Sequence, residues 1–396
     1  MMLGSKNTHQ RGLAFGVIAV AAAFTLNPTA NAQAQPEPQV PSAQDAPIAL
    51  LVDVTSGQVL HARHPDRRFV PASITKTMTL FHAFELIEEG RIDPRQTYTL
   101  RPETWREWKG KGSTMWLGAK DEVTVASLLY GIANVSANDG SAVLAEGAAG
   151  SIEQWVEGMN ARARALGMEN SHFGTPNGWP DEGATFVTAR DLVTLAQGLV
   201  TRHPEKFRQY IGHPTYVYND IEQRNHDPLL GRIRGADGIK TGYTNEAGFG
   251  FLGTAQRDGQ RLVMVVANSP QGRVRDRAAR RYIEWGFEAF DRERLFGPDQ
   301  VVDEARVQDG AARSVGLRTR DAVVVNVPSG HAGEIVASIS YDGPLRAPIE
   351  EGARIATLRV EVPGLDDATI PLYAADAVEE AGFFARIRNG FFGWFG

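Results

Sequence analysis

Pro71-Ala72-Ser73-Ile74-Thr75-Lys76-Thr77-Met78-Thr79-Leu80-Phe81-His82-Ala83-Phe84-Glu85-Leu86 places a serine and a lysine three residues apart and then turns apolar. Ile74, Met78, Phe81, Phe84 and Leu86 recur at roughly helical spacing, and Gly90 stops the run. A helix is therefore predicted over 73–89. Positions i and i+3 share a helix face, so Lys76 can sit beside the Ser73 hydroxyl. A serine hydroxyl is a weak nucleophile until a base takes its proton. A place in the first turn also favours developing negative charge. The pair occurs nowhere else in the chain, but one such pair is also ordinary helix decoration.

Upstream, 48–54 and 59–62 read as strands around Thr55-Ser56-Gly57-Gln58, a β-hairpin. Downstream, helices fit 124–135, 139–148, 151–166, 188–200 and 275–290. Between the last two, 249–255 and 261–267 alternate as a hairpin around Arg257-Asp258-Gly259. Strands flanking a block of helices predict an α/β domain over 48–295. After about 296 the texture changes to short β-branched runs at 301–302, 322–327, 334–339, 354–362 and 368–372. Turns such as Asp342-Gly343-Pro344 and Pro363-Gly364 separate them, which predicts a small all-β domain over 296–376.

The 396 residues suit about two domains. With 42% hydrophobic and 22% charged residues the chain can bury a core, which excludes a disordered or collagenous protein. It has no cysteine, which excludes disulfide scaffolds, thiol catalysis and thiolate metal sites. The nine histidines show no HExxH spacing, so no metal or other cofactor is expected. A net charge of −6 argues against nucleic acid as a partner.

The two ends read differently. Lys6 and Arg11 precede an uncharged apolar run over 13–26, then Asn27-Pro28 and Ala30-Asn31-Ala32. That pattern predicts a secretory signal peptide over 1–32, too short to span a bilayer before the proline. Residues 33–47, rich in Gln, Pro and Ala, read as a flexible leader. At the other end, Phe383, Phe384, Ile387, Phe391, Trp394 and Phe395 fall on one face when wound as a helix. An amphipathic helix over 377–396 that lies on a membrane surface is expected.

Two further motifs give the serine–lysine pair its meaning. Ser136-Ala137-Asn138 ends the helix over 124–135, and Lys240-Thr241-Gly242 leads into a strand-like 243–251. Alone, the first is an ordinary helix-ending turn and the second a strand-edge turn. Together and in this order, holding two of only seven lysines, they form the signature set of active-site serine penicillin-interacting enzymes.

The chain resembles the low-molecular-mass penicillin-binding proteins of the D-alanyl-D-alanine carboxypeptidase type over almost its whole mature length. The resemblance is carried by 71–76, by 131–139, and by Asp237-Gly238-Ile239-Lys240-Thr241-Gly242 with Ala247-Gly248-Phe249. Thr188-Ala189-Arg190-Asp191-Leu192 and Gln223-Arg224-Asn225 add to it. Tyr243 departs from it, standing where histidine is frequent.

The resemblance implies a penicillin-recognising, transpeptidase-like α/β (α+β) catalytic domain, then a β-domain and an amphipathic tail. It implies removal of the terminal D-alanine from peptidoglycan pentapeptide stems, with β-lactams acylating the same serine. Ser73 would be the nucleophile, Lys76 its base, and Ser136 the donor to the leaving amine. Asn138 would hold Lys76 and the substrate amide. Lys240 and Thr241 would meet the substrate carboxylate, with Gly242 completing the motif. Backbone N–H groups of Ser73 and Tyr243 would form the oxyanion hole. Arg224 and Arg273 would organise the carboxylate end.

The place of work would be the periplasm, at the outer face of the inner membrane. Other readings are a D,D-endopeptidase, a serine β-lactamase and a non-catalytic peptidoglycan-binding scaffold. A β-lactamase needs a deacylation base, for which Glu182 is only a loose match, and would usually lack the β-domain. A scaffold needs no nucleophile–base pair.

Overall fold

The computed structural model describes residues 38–330 and 335–382. Ile48–Asp53 forms β1, buried along its whole length. Side chains alternate across a strand, so Ile48, Leu50 and Val52 enter one core and Ala49 and Leu51 another. Asp53 then closes a turn, its Oδ1 accepting from Thr55 N at 2.9 Å, and Gln58–Arg63 returns as β2.

A 3-10 turn over Ala72–Thr75 runs into α1 (Lys76–Glu88). Then come β3 (Thr97–Thr99), α2 (Pro102–Trp108), β4 (Glu122–Thr124) and α3 (Val125–Asn134). After α4 (Asn138–Ala149) and α5 (Ile152–Ala165) follow α6 (Ala189–Arg202) and α7 (Pro204–Tyr210). Thr124, Ser151 and Thr188 cap α3, α5 and α6 through their hydroxyls. A small hairpin, β5 (Thr215–Tyr218) and β6 (Ile221–Arg224), precedes β7 (Ala236–Thr244), β8 (Gly248–Arg257) and β9 (Gln260–Ser269). α8 (Gly272–Glu288) closes this lobe.

The main sheet runs in the order β2-β1-β9-β8-β7, antiparallel throughout. One face packs on the helical core through Ile48, Leu252, Val263 and Val265. The other packs on α8 through Leu51, Phe251, Met264, Ala279 and Tyr282. β7 is an edge strand. Its position corrects one expectation: Lys240-Thr241-Gly242 lies inside a strand and does not merely lead into one.

The second lobe holds β10 (Phe290–Phe296), β11 (Val301–Gln308), β12 (Ser314–Arg318), β13 (Val323–Pro328), β14 (Val336–Ser340), β15 (Leu345–Arg346), β16 (Arg354–Glu361) and β17 (Ala368–Ala374). β10 pairs with β13, and the rest form one sheet in the order β14-β16-β17-β12-β11-β15. The helix expected over 275–290 ends at Glu288, and Phe290 already pairs with Pro328. The β-rich lobe therefore starts before 296.

A buried polar network ties the lobes together. Asp53 Oδ2 accepts from Asn326 Nδ2 at 2.8 Å and from Gln260 Nε2 at 3.0 Å. Asn326 N donates to Gln58 Oε1 at 2.6 Å.

Both flanks correct the sequence reading. Residues 38–47 are no loose leader: Ala46 is fully buried, Gln39 N donates to Arg281 O, and Ser269 Oγ donates to Asp45 O. Residues 377–382 do not begin a helix. They lie extended on the β-rich lobe, with Val378 bridged to Ile349 and Glu380 to Gly310. The signal segment 1–32 and the aromatic residues 383–396 fall outside the described residues, as does Glu334.

Candidate active site

The 3-10 turn that starts α1 is pressed into its shape from two sides. Ala72 has φ of 49°, a left-handed conformation that alanine rarely adopts. Behind it stands Gly178, where a Cβ would fall 1.8 Å from Ala72 O. In front passes β7, where a Cβ on Gly242 would fall 2.4 Å from Pro71 O. Glycine at both positions lets the backbones close on the turn and hold Ser73 at the mouth of a cleft of about 360 Å³.

Lys76 is fully buried at the floor of this cleft. Its Nζ lies 3.0 Å from Ser73 Oγ, 2.7 Å from Asn138 Oδ1 and 2.6 Å from Asn177 O. Burial first, and the charge of Lys240 second, hold the amine well below its usual pKa, while Asp139 opposes them. A neutral amine 3.0 Å from a serine hydroxyl is a competent proton acceptor.

The α3–α4 junction supplies the second wall. Ser136 takes φ of 62° between the helices, and α4 starts at Asn138. Asn138 is fixed at both ends: its N donates to Ser113 O at 2.8 Å and its Nδ2 to Lys111 O at 3.1 Å. Asp139 turns away and accepts from Met115 N at 3.0 Å and Leu117 N at 3.2 Å. It thereby holds the loop that runs beneath Asn138.

The third wall is β7. Lys240 is buried, and its Nζ donates to Thr241 O at 3.1 Å. Burial first, and Arg275 second, lower its pKa to about 7, and Asp227 opposes them. Thr241, Gly242 and Tyr243 line the cleft. Tyr243 is half exposed, stacks on Phe249 at 4.1 Å and donates to Asn245 Oδ1.

Two arginines expected here are elsewhere. Arg224 is exposed at the end of β6 and does not line the cleft. Arg273 is exposed and donates to Gln271 Oε1 at 2.8 Å. Arg275 lines the cleft in its place, buried, with NH1 donating to Gly250 O at 2.8 Å. The buried stripe of α8 runs Arg275, Ala278, Ala279, Tyr282, Ile283, Gly286. Stepping the apolar stripe back one turn would have picked Arg275, whereas Arg273 lies off it. Glu182 is exposed with φ of 57° and takes no part in the cleft.

Sequence reading also passed over Asn177, Trp179 and His226, all on the cleft wall. They stand on loops with no motif to mark them. Among the described residues there is no cluster of metal-ligating side chains.

A serine beside a buried amine in a polar cleft is the arrangement of a serine hydrolase that works through an acyl-enzyme. The model of the D-alanyl-D-alanine carboxypeptidase family matches residues 31–271, and that of the penicillin-binding protein 5 C-terminal domain matches 290–380. The chain belongs to the D-alanyl-D-alanine carboxypeptidase family. It is 32% identical to D-alanyl-D-alanine carboxypeptidase DacC of Escherichia coli over 98% of this chain and 97% of that protein. It is 30% identical to D-alanyl-D-alanine carboxypeptidase DacA of Haemophilus influenzae, over 85% of this chain and 86% of that one. The crystal structure of penicillin binding protein 5 from Haemophilus influenzae superposes with a TM-score of 0.76 at 30% identity, covering 86% of this chain and all of that one.

Proposed function

We propose that this protein removes the terminal D-alanine of peptidoglycan stem pentapeptides through an acyl-enzyme on Ser73, and that β-lactams acylate the same oxygen. The observation that carries the reading is the Lys76 amine, buried and 3.0 Å from Ser73 Oγ, beside a cleft lined by Thr241, Gly242 and Arg275, with Lys240 buried near Arg275. An extended stem adds to the free edge of β7, with its terminal carboxylate toward Lys240, Thr241 and Arg275.

Ser73 Oγ attacks the carbonyl between the last two D-alanines as Lys76 takes its proton. The oxyanion accepts from the backbone N–H groups of Ser73 and Tyr243. Ser136 passes a proton to the leaving nitrogen and takes one back from Lys76, which returns to the neutral amine as the C–N bond breaks and D-alanine departs. Water then attacks the ester, Lys76 takes its proton, and Ser73 Oγ regains one. Asn138 orients Lys76 and the substrate amide throughout. A β-lactam presents a strained cyclic amide to the same atoms in place of the peptide bond.

Purified protein with a D-Ala-D-Ala pentapeptide tests this. Released D-alanine and a penicillin adduct on Ser73 support it. No adduct and no release refute it, and rapid penicillin turnover marks a β-lactamase.

The reading extends to location: export directed by 1–32 and attachment of 383–396 to the outer face of the inner membrane. No helix among the described residues is long and apolar enough to cross a membrane. The aromatic density of 383–396 suits a surface-lying segment. Because 377–382 belong to the β-rich lobe, the test deletes only residues after Gly382. Loss of co-sedimentation with lipid vesicles supports the anchor, and unchanged binding refutes it.

A further inference from the structure

Beside the cleft, the end of α2, the segment just after it and the loop that carries Trp179 meet at three side chains outside the chemistry above. Lys111 places its Nζ 4.9 Å from the ring centroid of Trp108 and 4.9 Å from that of Trp179. The two indoles meet edge to face, 5.7 Å apart. Glu107, on α2, pairs with the same Nζ. A cation is therefore held between two aromatic faces with a carboxylate beside it.

What the backbone of this cage holds gives it its interest. Lys111 O accepts from Asn138 Nδ2 at 3.1 Å. On the opposite loop, Trp179 N donates to Asn177 Oδ1 at 3.0 Å. Asn138 Oδ1 and Asn177 O are the two oxygens, besides Ser73 Oγ, on the Lys76 amine. Each is thus one bond or one short peptide from one half of the cage. Gly112 fills the space between: a Cβ there would lie 2.7 Å from Asn138 Nδ2 and 3.0 Å from Trp179 Cζ3.

We propose that the Lys111–Trp108–Trp179 cage is a positioning device that fixes the two oxygens aiming Lys76 at Ser73. Lys111 acts only through Asn138 and Trp179 only through Asn177, so both are positioning residues. The inference rests on the acyl-enzyme reading given above. Removing the cation frees the Lys111 loop, and Asn138 with it. Because reactivity falls steeply with misalignment, the loss is expected in the acylation step and not in the initial encounter.

The experiment measures acylation by a fluorescent penicillin in stopped flow, separating the rate constant from the pre-covalent dissociation constant. Lys111→Met is expected to acylate about tenfold more slowly with its dissociation constant unchanged. Lys111→Arg is expected to restore most of the rate, because a guanidinium stacks on indoles and keeps the charge. Thermal melting of both variants shows whether each is folded, and Trp179→Phe provides a second entry into the same cage. Wild-type rates in both Lys111→Met and Trp179→Phe overturn the proposal. So does Lys111→Arg acylating as slowly as Lys111→Met. If the wild-type protein itself takes no penicillin, the acyl-enzyme reading falls, and the cage proposal falls with it.

Discussion

Replacing Gly242 by alanine should separate activity from folding. Gly242 pairs with Gly250 across the edge of the main sheet. A Cβ there would sit 2.4 Å from Pro71 O, 3.1 Å from Ile74 Cγ1 and 3.2 Å from Ile74 N. Carbon and oxygen approach each other to about 3.3 Å at closest, so something must retreat by close to 1 Å. The nucleophile turn cannot, because Gly178 already presses on Ala72 from behind. β7 must move out, carrying Lys240, Thr241 and the Tyr243 N–H away from Ser73.

A misplacement of about 1 Å costs on the order of a hundredfold in rate, against about 1–3 kcal/mol of stability for the overpacking. The assay is penicillin acylation together with D-alanine release, read beside a thermal melt. Gly259→Ala is the control. Its φ of 78° makes alanine strained, but nothing lies within 4 Å of the new carbon, and it sits in the β8–β9 turn. That variant should lose about 1 kcal/mol of stability and keep its activity. If Gly242→Ala acylates within about threefold of wild type, the turn and the strand are not locked together and the argument is wrong.

Other expectations follow from the same geometry. Ser73→Ala should lose both D-alanine release and the penicillin adduct while melting like wild type, since one oxygen is removed. Acylation should rise with pH through a value far below that of an ordinary lysine, because burial first and Lys240 second hold the Lys76 amine well below its usual pKa; a Lys76→Arg protein with full activity would contradict this. Burial and Arg275 lower the Lys240 pKa to about 7, so KM for a carboxylate-bearing peptide should climb as pH rises through that value and the positive charge is lost. An ester lacking the carboxylate should show no such climb. Asn326→Ala should lower the melting temperature by the equivalent of about 1–3 kcal/mol, since it strips a donor from the fully buried Asp53, with release from a small peptide unchanged.

What the sequence discloses follows how local each feature is. Ser73 and Lys76 are one helical turn apart, so their meeting is legible in the chain. The hairpin of β1 and β2 is legible for a similar reason, through its turn residues. The Lys240 motif is legible, but the start of its strand is not, because Ala236 to Gly242 is poor in large apolar residues. The start of α8 at Gly272, three residues before the predicted one, is what turns Arg275 inward and leaves Arg273 exposed.

The strands β3 to β6 have three or four residues each, too few for a period to show. Asn177 and Trp179 could not be found at all. They reach the cleft through long-range packing of a loop against the nucleophile turn, and no local pattern encodes that. The extended docking of 38–47 and 377–382 escaped for the same reason, since their partners are Arg281 and Ile349, far along the chain.

The open edge of β7 has a consequence for the protein's own solubility. A sheet edge with unsatisfied N–H and C=O groups is a template on which any extended chain, including a second molecule of the same protein, can grow a further strand. Here the template lies inside a cleft whose other walls include Ser136, Asn138, Trp179 and Arg275. A long strand from a second molecule would have to fit between those walls, which a short peptide end meets more easily than a folded protein's edge does. The walls that select a peptide's last residues thus also guard against intermolecular sheet growth, and a change that widens the cleft to take bulkier substrates would weaken that guard as well.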